Sequence, residues 1–363
     1  MVRRLAQGAI ALTAVALALF AWHCDAPWFD RHVFLPQQFF LRASPGIASS
    51  ARAIALAIAA ILLLFARFLP RGAAGRRLFF ALLLSILAAE ILLQWRVRRL
   101  VRPELAAAME ALTMSHPRYG GFTFRPSLDQ VHRILGREIR FRTDGESRRI
   151  SGAAIDPAAP SIVFTGESAM AGFGLEWDET FAAALGARLR LQVVNLASPG
   201  YRAEQSALRL KDALPKLQHP AAVVGIFMPG LIGRSFADPR HPPLRRSSSP
   251  ALVQRSGLYQ LWHHLYWSDA AIEEGLRSVA SALREMSALA QARGAPCIFL
   301  VTGWTPSWML HDLFEAPGLD FVPLDFPDTD LLPDAHPGPR AILRITDALE
   351  TRLRAAMPTA HPR

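Results

Sequence analysis

The chain has 363 residues, with 51% hydrophobic side chains and a formal charge of +10. That hydrophobic share is high for a purely water-soluble protein and points to a membrane portion beside one sizeable domain. The charge does not point to nucleic acid: residues 1–102 hold thirteen arginines against Asp25, Asp30 and Glu90, a surplus equal to the whole net charge, while the remainder carries 27 groups of each sign. Two cysteines, Cys24 and Cys297, give no disulfide framework and no metal-ligand spacing.

Residues 5–22 carry no charge and follow Arg3 and Arg4, as a transmembrane helix or signal anchor would. A second apolar run, 51–69, is bracketed by Arg52 and Arg67, whose long stems can snorkel. A third, 78–95, contains Glu90 near its basic end, where a paired or snorkelled role is expected. Three spans are therefore expected within residues 1–102, with arginines at the headgroups of membrane lipids. The arginines divide six against seven between the two sides, so the charge rule leaves orientation open.

Residues 103–160 read as a connector. Glu104–Met114 is helical in pattern, and Gln130–Arg142 reads as a hairpin turning at Leu135-Gly136. From Ser161 strands and helices alternate. Strands are expected at Ile162–Phe164, Leu191–Leu196, Ala222–Phe227 and Cys297–Val301. Helices are expected near Thr180–Leu189, Ala203–Leu214, Ala271–Arg293 and Arg340–Ala356. Such alternation predicts a parallel sheet covered on both faces. Residues 229–269 interrupt it as an insertion near the strand ends; Trp262, His263, His264 and Trp267 within it fit a partly buried aromatic helix face.

The chemistry centres on Ser161–Gly174, SIVFTGESAMAGFG. A serine just past a buried strand, at the start of a helix, has an exposed hydroxyl beside backbone N–H groups, the layout an acyl-transfer nucleophile needs. A phosphate-binding loop would need a lysine, and a dinucleotide fingerprint a glycine where Trp177 stands. The α/β-hydrolase elbow would need a glycine at Met170. A base is offered by Asp334-Ala335-His336 before the last helix, where alternate residues of an extended segment project to one side.

With these residues in place, the segment 161–357 resembles the SGNH (GDSL-type) hydrolases, in a form anchored to bacterial membranes. Gly166-Glu167-Ser168 matches the family's Gly-Asp-Ser block with Glu for Asp, Asn195–Tyr201 matches its second block, and Asp334, His336 and Pro337 match its last. The resemblance implies a three-layer α/β/α, flavodoxin-like fold and a Ser168–His336–Asp334 triad, with oxyanion donors at Ser168 and Gly200. The asparagine that the family places after its third strand is absent; Gly230 stands in its place, and Arg234 is a candidate substitute. It further implies a serine-dependent ester hydrolase or O-acyltransferase without cofactor or metal. The substrate would be an ester-bearing cell-envelope glycan or lipid, and the catalytic domain would lie outside the cytoplasm on the bacterial inner membrane. The missing asparagine and Glu167 together keep a second reading open, a catalytically impaired SGNH-fold module that binds an envelope glycan or partner.

Overall fold

The computed structural model describes residues 2–34, 45–67, 84, 87–88, 90–92, 103–119, 121–234, 266–302, 305–332 and 336–357. Most of the third expected span, the core of the insertion with Trp262, His263 and His264, and Asp334 lie outside the described residues. The chain divides into two compact units, 1–100 with 249–269, and 101–248 with 270–363.

In the first unit two long helices, α1 (Val2–His23) and α2 (Pro45–Arg67), pack against each other. Gln7 Nε2 donates to the Ala66 carbonyl at 2.9 Å and Arg52 Nε to the Ala21 carbonyl at 2.5 Å, so the helices run antiparallel. Their seam is made of small residues, with Ala14, Ala21, Ala48, Ala55, Ala59 and Ala66 buried. Leu12, Val15, Leu19, Trp22, Ile54, Ile61 and Leu64 face outward. Among the described residues no single helix is long and apolar enough to cross a membrane; the bent pair Gln7–His23 and Ala26–Val33, at 103°, reaches that length and composition only jointly. In the same unit His32 Nδ1 lies 2.7 Å from the Trp267 carbonyl, and Trp267 is buried.

The second unit opens with α3 (Pro103–Leu112), two residues shorter at its end than the pattern suggested, because Thr113–His116 leaves as strand β1 and pairs antiparallel with β2 (Gly121–Phe124). The expected hairpin is present as β3 (Asp129–Ile134) and β4 (Arg137–Arg142). Leu135 and Gly136 both take positive φ, 54° and 77°, the backbone sense a two-residue turn needs to match strand twist.

The main sheet has five parallel strands in the order β6-β5-β7-β8-β9. These are β5 (Ser161–Thr165), β6 (Gln192–Asn195), β7 (Pro220–Phe227), β8 (Cys297–Thr302) and β9 (Asp320–Leu324). Every residue of β5 and β8 is buried, as expected of strands covered on both faces. The edge strand β9 was not expected: its sequence DFVPL breaks the apolar run with Pro323, which only an edge tolerates. One helical layer holds α5 (Phe181–Leu189) and α9 (Pro339–Ala356), joined by Arg188 to Asp347 at 2.7 Å. The other holds α6 (Ala203–Ala213) and α8 (Asp269–Gln291), joined by Lys211 to Glu285 at 3.2 Å. The result is the three-layer α/β/α fold. Chain order reverses between β5 and β7, so a crevice opens beyond their carboxyl ends, where such sheets hold ligands.

Candidate active site

The segment leaving β5 builds one side of that crevice. Gly166 is required by close approach: a Cβ there would stand 2.3 Å from Ile226 Cγ2 on neighbouring β7 and 3.1 Å from Met170 Cβ. Glu167 then caps the short helix α4 (Ser168–Ala171), its Oε1 accepting from the Ala169 N–H at 2.8 Å. Ser168 is the first helical residue, so its N–H has no intrahelical acceptor.

Glycine is required again at the end of α4. Gly172 has φ +69°, and a Cβ would meet Thr180 Cγ2 at 2.3 Å. The carbonyls around it are gathered by Arg149, a fully buried side chain that donates to Ala171 at 2.7 Å, Gly172 at 2.6 Å and Leu175 at 2.5 Å. Its guanidinium lies 4.0 Å from the centroid of the Phe141 ring, and burial pulls its pKa down to about 9, so it remains charged at neutral pH. Asn195, at the end of β6, adds a bond from Nδ2 to the Met170 carbonyl at 3.0 Å. Neither Arg149 nor a second buried arginine, Arg209, which donates to the Tyr201 hydroxyl at 3.1 Å and to Thr123, was singled out from sequence. Their partners are mostly carbonyls and hydroxyls rather than carboxylates, so no charge pattern marks them.

Across the crevice, His336 is carried on a loop closed by the Leu331–Pro337 bridge and by the Leu332 N–H donating to the His336 carbonyl at 2.7 Å. Its Nε2 lies 2.7 Å from Ser168 Oγ, bringing together two side chains 168 positions apart. Gly200 lies beyond β6 with φ +75°, in a turn held to the end of β5 by the Ser198 N–H donating to the Gly166 carbonyl at 3.1 Å. Gly230 opens α7 (Gly230–Arg234) after β7 and is buried. Asp334, the expected orienting acid, lies outside the described residues.

Glu167 and Arg234 complete the cluster. Ser168 Oγ is 2.5 Å from Glu167 Oε2, while Arg234 Nη1 is 3.6 Å from the same oxygen and donates to the Tyr201 carbonyl at 3.1 Å. Burial pushes the Glu167 carboxyl upward, but Arg234, His336, the Ser168 hydroxyl and the Ala169 N–H outweigh it, and its pKa falls below the ordinary value. An ionised Glu167 can only accept. Glu167 Oε2 and the Nε2 lone pair of a neutral His336 therefore compete for the single Ser168 proton. Among the described residues no group of three or more His, Cys, Asp or Glu side chains could hold a metal ion.

The chain thus folds as a doubly covered parallel α/β/α sheet with a serine–histidine pair at its switch point. Solved structures of that type are similar to this chain. TesA is 19% identical, covering 54% of this chain and 99% of its own, at a TM-score of 0.38. A lipolytic protein of the G-D-S-L family from Desulfitobacterium hafniense DCB-2 is 14% identical, covering 53% and 98%, at 0.35. The SGNH-hydrolase family esterase AlinE4 is 18% identical, covering 57% and 100%, at 0.31. No family model and no curated protein matches the chain.

Proposed function

We propose that the protein is a serine-dependent ester hydrolase or O-acyltransferase. The observation that carries this is the 2.7 Å approach of His336 Nε2 to Ser168 Oγ at the open end of β5. Once His336 offers its Nε2 lone pair, Ser168 Oγ attacks the ester carbonyl carbon and its proton passes to that nitrogen. The amides of Ser168 and Gly200 face the resulting oxyanion. Collapse breaks the carbon–oxygen bond, His336 returns the proton to the leaving alkoxide, and an acyl-enzyme remains. Water or a sugar hydroxyl then takes the acyl group. Asp334, two residues before His336 in the sequence, is assigned the role of orienting the imidazole.

The N-terminal unit is read as a membrane anchor. Its small residues are buried at the seam and its large aliphatic ones face outward, the reverse of a helix pair folded in water. A domain on such an anchor suits an ester on an envelope glycan or lipid, and the catalytic unit is placed outside the cytoplasm of a bacterial inner membrane.

A second reading, an SGNH-fold binding module without turnover, draws on the buried Glu167 carboxylate's competing with His336 for the Ser168 hydroxyl proton. Fluorophosphonate labelling of the full-length protein, purified in mild detergent, separates the two. The enzyme reading expects stoichiometric labelling of the wild type, lost in Ser168→Ala and in His336→Ala. No labelling of a folded wild type, shown folded by its thermal transition, refutes the enzyme reading.

A further inference from the structure

The nucleophile has one proton and two acceptors, one of them a buried carboxylate that the general base must outcompete. We propose that Arg234 is a positioning residue that acts through Glu167: it offsets the carboxylate's charge, freeing the Ser168 proton for His336 and removing a negative charge from beside the developing oxyanion. This rests on the serine-enzyme reading above.

The geometry singles out this arginine. Glu167 is 2% exposed and adjacent in sequence to the nucleophile, so its charge is not screened by solvent. The same oxygen, Oε2, faces both Ser168 Oγ at 2.5 Å and Arg234 Nη1 at 3.6 Å. A cation on that oxygen lowers its power as an acceptor for the serine proton. Arg234 arrives from the element after β7, on the far side of the topological switch from β5, and its bond to the Tyr201 carbonyl ties it to the turn bearing Gly200. One side chain thus links the nucleophile's neighbour to the loop of the second oxyanion amide. A neutral residue at 234 would leave a buried, unpaired carboxylate against the reacting oxygen, which is costly to the fold and opposed to attack.

The test is a double-substitution cycle on the full-length protein, read by the fluorophosphonate labelling rate and by the thermal midpoint. In labelling, a bond forms between Ser168 Oγ and phosphorus, fluoride leaves, and the hydroxyl proton passes to His336. Arg234→Met is expected to slow labelling about 100-fold, the size of losing one electrostatic donor at such a site. Arg234→Lys, which keeps the charge, is expected to stay within about 10-fold of wild type. In the Glu167→Gln background the same loss of the arginine is expected to cost about 10-fold or less, because no buried charge remains to be offset. The thermal midpoint should fall in Arg234→Met and recover in the double variant, a readout independent of catalysis. Wild-type labelling in Arg234→Met, or an equal loss in both backgrounds, overturns the proposal, since the arginine would then act on substrate or fold without Glu167. An unlabelled wild type strikes the enzyme reading instead; the midpoint cycle still decides the pairing, and no recovery in the double variant overturns it.

Discussion

Gly166→Ala is the sharpest perturbation of the turn that carries Ser168. The new methyl would lie 2.3 Å from Ile226 Cγ2, short of ordinary carbon contact by more than about 1 Å. Ile226 cannot yield by rotating: its side chain is branched at Cβ, it is buried, and it sits on a strand paired on both sides. The strain must move β5 against β7, at the cost typical of overpacked cores, about 2 kcal/mol. For a unit of this size that is a fall of about 4–8 °C in thermal midpoint. The displaced turn carries Ser168, so labelling should slow as well. Ile226→Ala removes the offending methyl at its own cavity cost of about 2–5 kcal/mol. Combined with Gly166→Ala, it should cost less than the two separate losses together by about 1–2 kcal/mol. Differential scanning calorimetry of the four proteins measures this. A Gly166→Ala midpoint within about 1 °C of wild type, or strict additivity in the double variant, would refute the argument from close approach.

Two further outcomes follow from the ionisable groups. Glu167 is held below its ordinary carboxylate value in the fold, so its contribution to stability is present above about pH 4.3 and is lost as pH falls through the depressed value. Glu167→Gln should therefore flatten the acid side of the midpoint-versus-pH curve, and an unchanged slope between about pH 3 and 5 would contradict the assignment. Cys297 is buried in β8 and its thiol is pushed up to about 12, first by burial and then by Asp320. Peptide mapping after iodoacetamide at pH 8 should find it unmodified in the native protein and modified after unfolding; rapid native alkylation would count against a closed β8–β9 edge.

The sheet was legible where the chemistry of burial is one-dimensional. Val163, Val224 and Leu300 stand in short unbroken apolar runs between turn residues, and such runs become central parallel strands. The hairpin declared itself through Leu135-Gly136. The edge strand β9 did not, since Asp320 and Pro323 are tolerated only because one side of that strand has no partner to bond. The short pair β1–β2 was hidden for a related reason: four residues around Met114 and Phe122 give too brief an alternation to separate strand from the end of a helix. At the site, Ser168 and His336 were found because their residue types and order carry a known logic, and the fold then brought them within a hydrogen bond. Arg149 left no such trace. Its partners are three backbone carbonyls, and any residue could have supplied those.

The bonds from Arg149 also bear on how the protein can be divided. Arg149 stands before the sheet begins, yet it bridges to Asn195 and holds the carbonyls that close the turn after Ser168. A gene fragment starting at Ser161 would encode every strand of the main sheet and both members of the Ser168–His336 pair, but would leave those carbonyls without their donor. Such a fragment should fold poorly or carry a slack reactive loop. The smallest portable piece of this protein begins upstream of the hairpin, so evolution or an engineer moving the main sheet to another protein must move the connector with it.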